Sequence, residues 1–304
     1  MLKKLSTAFY DAMFGTANND QGFNNIEEKA LNNVREILNS PQKLSQQIPP
    51  LPIILLQLID TLKNPNADFI EIATIIEKDP ALAVEVLRVA NSSLYFRGNG
   101  EITSLRYAVS LLGVTGISNI STTILLEKVR PAKPIYYKMF GKQIWIHSVQ
   151  CAFLCKALAA EKEIDEFDEF DAYFLGLIHD IGKIIIFNCL CDALSSEFPD
   201  STPGSRVYKE LMAEMSADIS YFIAKEWQLP AIYYDALQAQ RAIKNSPLAE
   251  LLYKGNLLSE VYLLYKKKQI DDSLIEKLLA KLSVNEEIWQ QFIEIAPSIE
   301  ASVN

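Results

Sequence analysis

Histidine is nearly absent from this chain, with two residues in 304, His147 and His179. Counting alone excludes a histidine-rich dinuclear metal centre. Cysteine is sparse as well. Cys151 with Cys155 and Cys189 with Cys191 form two close pairs, which is no disulfide framework for a chain this long. The expected compartment is therefore reducing cytosol. Long apolar runs are lacking too. The most apolar stretch, Leu175 to Leu190, is interrupted by His179, Asp180, Lys183 and Asn188, so no membrane span of ~20 apolar residues is expected. The N-terminus, Met1-Leu-Lys-Lys-Leu-Ser, does not continue into the apolar run of a secretory signal. Positive charge is in deficit, with a net charge of −9. An acidic chain gains nothing by approaching phosphate backbones, so no nucleic-acid partner is expected. The Lys266 to Lys268 run reads as a solvated helix end.

Apolar residues are plentiful at 49%, against 22% charged, enough for a sizeable core and unlike a disordered chain. Their spacing is helical from Asn25 onward, and strand-like alternation is nowhere sustained. Asn25 with Glu28 has the form of a capping box, and that stretch ends near Ser40-Pro41. The prolines of Pro49-Pro50-Leu51-Pro52 impose extended backbone. Beyond them, Ile54, Leu55, Leu58, Ile59 and Leu62 recur at helical spacing. Asn64-Pro65-Asn66 is a turn, and Asp68 with Glu71 opens a stripe of Phe69, Ile72, Ile75 and Ile76. Asp79-Pro80 combines a cap with a first-turn proline ahead of Leu82, Val86, Val89 and Ala90. Thr103 to Leu112 forms a short helix closed by Gly113. Pro131 and Pro134 mark a break. Longer helices are expected after it, over 135–161, 170–194, 207–227, 231–243 and 248–268, with two more near 272–282 and 286–295, the last opened by Ser283 and Glu286. The predicted fold is all-α, a helical bundle preceded by a smaller bundle of short helices. The divisions are 1–24 (an amphipathic segment with Leu2, Leu5, Phe9 and Met13 on one face, then a linker), 25–131, 132–268 and 269–304.

The chemistry concentrates in Gly176-Leu-Ile-His-Asp-Ile-Gly-Lys183. Adjacent side chains on one helix diverge by about 100°. His179 and Asp180 therefore reach one ion only above a groove between two helices, and His147, on the preceding helix, is placed to close such a groove. Lys183 suits contact with a substrate phosphate, but a solvated or paired lysine is the favoured reading. Asp180 also suits a purely orienting role toward the histidines. His147, Cys151 and Cys155 fall on one helix face at i, i+4 and i+8, an adequate set for zinc if a fourth ligand arrives. Buried packing is the commoner fate of such thiols.

His147 followed by His179-Asp180 in an HDxGK context resembles the HD superfamily of metal-dependent phosphohydrolases. The segments Ile48-Pro-Pro-Leu-Pro52, Lys78-Asp-Pro-Ala-Leu82, Val89-Ala-Asn-Ser92, Ser104-Leu-Arg-Tyr-Ala108 and Trp227-Gln-Leu-Pro230 narrow the likeness, over about 47–264, to the HD-related output domain (HDOD) family. The resemblance implies a bacterial signalling or regulatory module, often without demonstrated catalysis. In the enzymes of the superfamily, a later helix adds an aspartate, usually in an Ala-Asp pair. The matching place here reads Gly255-Asn256. An amide oxygen can touch a metal but brings no charge. Where family members often carry a His pair, this chain reads Leu237-Gln-Ala-Gln-Arg241.

The resemblance thus implies a degenerate site of His147, His179, Asp180 and Asn256. No cofactor is expected in it, and a divalent metal (Mn, Fe, Zn or Mg) would occupy it only at low occupancy. Three functions compete: a module working through a protein partner, with homodimerisation as one form; a mononuclear metal-dependent phosphohydrolase, with Lys183 as the catalytic candidate; and a nucleotide or second-messenger sensor without turnover.

Overall fold

The computed structural model describes residues 2–15, 25–64, 68–96, 98, 100–129, 135–161, 166–197, 205–242 and 246–303. Among them the regular structure is α-helical throughout, as the periodicity predicts. The proposed break at Pro131 and Pro134, the turn at Pro65-Asn66 and the linker after Gly15 lie outside the described residues. The first helices are α1 (Leu2–Phe14), α2 (Asn25–Leu38), α3 (Pro41–Gln47), α4 (Ile53–Leu62), α5 (Phe69–Glu77), α6 (Pro80–Ala90) and α7 (Leu105–Glu127). They are followed by α8 (Ile135–Ala160), α9 (Glu169–Ile178), α10 (Ile181–Glu197), α11 (Ser205–Glu226) and α12 (Ala231–Ala242). The chain closes with α13 (Pro247–Lys266), α14 (Asp272–Leu282) and α15 (Glu286–Ser302).

Local signals explain most of the starts. Asp68 accepts from the amides of Ile70 and Glu71, and Asp79 from those of Ala81 and Leu82, so each satisfies two amides that lack a helical partner. Leu82, Val86 and Ala90 are buried as their spacing requires, whereas Phe69 projects outward at 47% exposure. Gly113 adopts φ 72°, which divides α7 into two helical segments. Gly113 thus closes the short helix that begins at Leu105, as the sequence predicts, and a second helical segment follows it directly. At the other end of the chain, Asn285 caps α15 by accepting from Glu287, while Ser283 sits in the left-handed region behind α14. The expected Ser283–Glu286 box is corrected accordingly.

Two of the motifs that carry the family likeness tie distant segments together. The Trp227 indole donates to the Pro49 carbonyl at 2.9 Å and so pins the proline-rich entry strap to the end of α11. Asn91 clamps Ile102, donating to its carbonyl at 2.9 Å and accepting from its amide at 2.8 Å. One continuous apolar core runs from α1 to α15.

The expectation that no segment reaches membrane-span length needs correcting. Leu105–Glu127 and Glu169–Ala193 both do so by length and composition, each holding an 18-residue window with a mean hydropathy of 1.6. In the second stretch 94% of that window is buried inside the protein, and its apolar character is used by α9 and α10 as the centre of the core.

Candidate metal centre

The site is built on α8, on the junction of α9 with α10, and on α13. Two glycines permit its helices to approach. A Cβ on Gly176 would lie 2.6 Å from the Ala152 Cα, and one on Gly255 would lie 2.5 Å from the Cys155 Sγ. Both contacts fall on the Cys151–Cys155 turn of α8. The small thiols are the packing complement of those glycines, with their sulfurs 3.8 Å apart and Cys155 directed at the Leu251 carbonyl. Burial pushes the Cys151 thiol well above its ordinary range. A neutral, packed thiol is no thiolate ligand.

The sequence predicts one helix over 170–194, but the chain breaks between Ile178 and Ile181. His179 and Asp180 form that turn. His179 keeps helical dihedrals (φ −57°, ψ −33°), and its Nε2 lies 3.3 Å from Asp180 Oδ2. His147 Nε2 lies 3.2 Å from the same oxygen. Asn256 Oδ1 completes the group at 3.0 Å from His147 Nε2 and 3.2 Å from His179 Nε2.

Hydrogen bonding behind the rings fixes which nitrogen faces inward. His179 Nδ1 lies 2.7 Å from the Gly176 carbonyl, which can only accept, so Nδ1 carries the proton. Ser259 gives its single hydroxyl proton to the Asn256 carbonyl at 3.0 Å and receives His147 Nδ1–H at 3.0 Å. Both Nε2 atoms therefore present lone pairs toward the two oxygens. With Asn256 Oδ1 turned inward, four electron-rich atoms lie close enough together to hold a cation. The four nitrogen-to-oxygen separations of 3.0–3.3 Å match the roughly 3.0–3.4 Å between neighbouring ligands on an ion with bonds of about 2.1 Å. His147, His179, Asp180 and Asn256 thus fit one divalent ion.

The protein supplies a cation of its own at Asp180. Lys183, expected to be solvated or paired, is buried, and its ammonium donates to Asp180 Oδ2 at 2.6 Å. Burial lowers its pKa, and the Asp180 charge more than reverses this, so Lys183 stays ionised. Burial raises the Asp180 carboxyl, and Lys183 in turn holds it down against that rise. Burial also holds His147 down at about 4 against the opposing pull of Asp180, which keeps the imidazole neutral.

Sequence reasoning missed two participants. Glu260 lies one turn beyond Asn256 on α13, is 8% exposed, and is pushed up to about 7 by burial, with Lys183 opposing. The available signal was a lone acid inside Leu257-Leu-Ser-Glu-Val-Tyr-Leu263, on the same helical face as Asn256. The other participant is α1, whose Leu5, Phe9 and Met13 are buried against the chain's own core. The Phe9 ring lies 4.9 Å from that of His147, and the Lys183 ammonium stands 5.7 Å above Phe9 and 5.3 Å above Tyr10. These aromatic faces replace part of the hydration that the ammonium has lost. The Lys266–Lys268 run is exposed as expected, yet Lys267 donates to the Ala12 carbonyl of α1 and Lys266 pairs with Glu300.

An HDOD domain model matches residues 48–243. The chain belongs to the HDOD family. A structure from Shewanella amazonensis SB2B, named a "putative metal-dependent phosphohydrolase", is 18% identical with a TM-score of 0.63, covering 92% of this chain and 99% of that one. A "putative signal transduction protein" from Marinobacter aquaeolei VT8 is 22% identical with a TM-score of 0.59, covering 93% and 67%. An uncharacterised protein of Treponema pallidum (strain Nichols) is 22% identical over 204 residues, 66% of this chain. The chain spans 39% of that relative's length. These likenesses establish the fold.

Proposed function

We propose that this chain is a cytoplasmic bacterial signalling module that acts through a protein partner and does not turn over phosphate esters. The carrying observation is the Lys183 ammonium 2.6 Å from Asp180 Oδ2, the same oxygen that both histidines face. A metal would have to share the site's central carboxylate with a resident cation. On α13 it would meet an uncharged amide rather than a second anion. The cover formed by Phe9 and Tyr10 supports the same reading, since a substrate phosphate would have to displace α1 to approach. Treating 25–131 and 132–268 as two halves of one module is part of this proposal.

The converging lone pairs favour a second reading, a mononuclear metal-dependent phosphohydrolase. A bound divalent ion would supply Lewis-acid polarisation of a phosphate oxygen and a more acidic water. In that reading His147 and His179 are neutral donors, and Ser259 and the Gly176 carbonyl orient them. The deciding experiment is elemental analysis of protein purified without chelator or nickel column, paired with assays on bis(p-nitrophenyl) phosphate and cyclic dinucleotides. We expect substoichiometric metal and no turnover. A metal-dependent rate abolished by His179→Ala and by Asp180→Ala establishes the enzyme instead.

A further inference from the structure

A cavity of about 590 Å³ opens between α1, α8, α13 and α15, within the size range of small-molecule sites. It reaches His147 and Ser259 at its base, while His179, Asp180 and Lys183 do not line it. Phe9, Met13 and Ile146 supply apolar walls, and Lys142, Lys266 and Lys267 stand on the lining with Glu300 as the one acid. That is a local excess of positive charge in a chain of net charge −9.

We propose that this cavity binds a small amphipathic anion, an apolar body carrying one carboxylate or phosphate head. The polar groups inside are largely occupied with one another, His147 Nδ1 with Ser259 at 3.0 Å and Gln150 with Glu300 at 3.4 Å. Few groups remain to read the edge of a heterocycle, so the interior suits an apolar body. The lysines set the sign of the head. Lys142 makes no ion pair among the described residues, and Lys266 is already paired with Glu300. Lys267 is held by the Ala12 carbonyl at the end of α1. An anion that recruits Lys267 removes that hold while touching Phe9 and Met13 of the same helix, so occupancy is coupled to the seating of α1. The inference goes beyond the signalling proposal and stands whether or not the neighbouring site holds a metal.

The test is calorimetric titration of the full chain, in chelator, with decanoate and with decyl phosphate below their micelle concentrations. Decyltrimethylammonium serves as the control of opposite charge. We expect saturable binding of at least one anion, the better of the two identifying the head group. Lys142→Glu should weaken binding about tenfold or more, because it places like charges together. Met13→Trp, which fills the cavity, should abolish binding while the circular dichroism of the parent is retained. No binding by either anion overturns the proposal. So does equal binding of the ammonium probe, or affinity unchanged by Lys142→Glu.

Discussion

Lys183 and Asp180 form a buried ion pair, Nζ to Oδ2 at 2.6 Å, at the point where the two histidines converge. Removing one partner of such a pair leaves an uncompensated charge, at a cost of about 3–5 kcal/mol. Lys183→Met should be destabilised by that order in chelator. It should regain part of the loss with added Mn²⁺ or Zn²⁺, since Asp180 is then free to ligate. Urea unfolding with and without metal reads both effects. A variant as stable as the parent in chelator shows that the pair carries no such weight.

Asn256 fits the site in either orientation of its amide. With Oδ1 inward it completes a metal's ligands. Turned by 180°, its NH2 gives one proton to each imidazole and satisfies the site without an ion. Asn256→Asp removes the second option and sets a new anion near Asp180. We expect a lower melting temperature in chelator and a gain with Mn²⁺, Zn²⁺ or Fe²⁺, about 2.7 kcal/mol at one hundred times the dissociation constant. Identical melting curves in all conditions would mean that Asn256 does not govern cation binding.

The pH dependence should show two opposed contributions. His147 falls from the ordinary 6.5 to about 4. The unfolded chain then takes up a proton that the folded chain refuses, so stability is intact above pH 6.5 and lost as the pH falls toward 4. Glu260 rises from 4.5 to about 7. Here the folded chain keeps a proton that the unfolded chain releases, so stability falls as the pH rises from 4.5 toward 7. Each is worth roughly 3 kcal/mol at 1.36 kcal/mol per pH unit, and they oppose across one window. The parent should be nearly flat there. Glu260→Gln should match the parent near pH 4.5 and exceed it by roughly 2–3 kcal/mol at pH 7.5. Parallel curves for the two proteins would remove Glu260 from this account.

Gly255→Ala drives a methyl group to within 2.5 Å of Cys155 Sγ and should cost about 1–3 kcal/mol. Cys155→Ala in the same chain deletes the obstructing sulfur, so the double variant should recover part of the loss. Strictly additive losses in a double-mutant cycle would deny the contact.

Removing residues 1–15 strips Leu5, Phe9 and Met13 from the core and uncovers the apolar surfaces of α8 and α13. The shortened chain should bind a hydrophobic dye and unfold at lower urea, and Phe9→Ala alone should cost about 3–5 kcal/mol. Unchanged dye binding and stability would show α1 to be dispensable.

Much of this was legible in the sequence because it rests on local rules. Caps such as Asp68 and Asp79 act within three residues, and the His147, His179 and Asp180 set stands out by the scarcity of histidine. The break at His179-Asp180 was hidden because α9 and α10 are apolar on nearly every face, so periodicity has no phase to lose there. Lys183 and Glu260 were hidden for a related reason. Pairing of Lys183 with Asp180 three residues before it was open to the sequence reading, but its burial was not, because the rings of α1 that cover it are distant in the chain. Ser283 misled because a capping pattern cannot distinguish the residue that ends one helix from the residue that starts the next.

The family match ends at residue 243, whereas Asn256, Ser259 and Glu260 follow it and Phe9 and Tyr10 precede it. A fragment cut to residues 48–243 would keep both histidines, Asp180 and Lys183. It would lose the amide that faces the rings, the hydroxyl that sets the His147 tautomer, and the aromatic roof. The shared span supplies one half of a socket, and the flanking helices decide what that socket accepts. Two family members with the same His-Asp pair can therefore differ completely in cation binding through segments that the family signature does not contain.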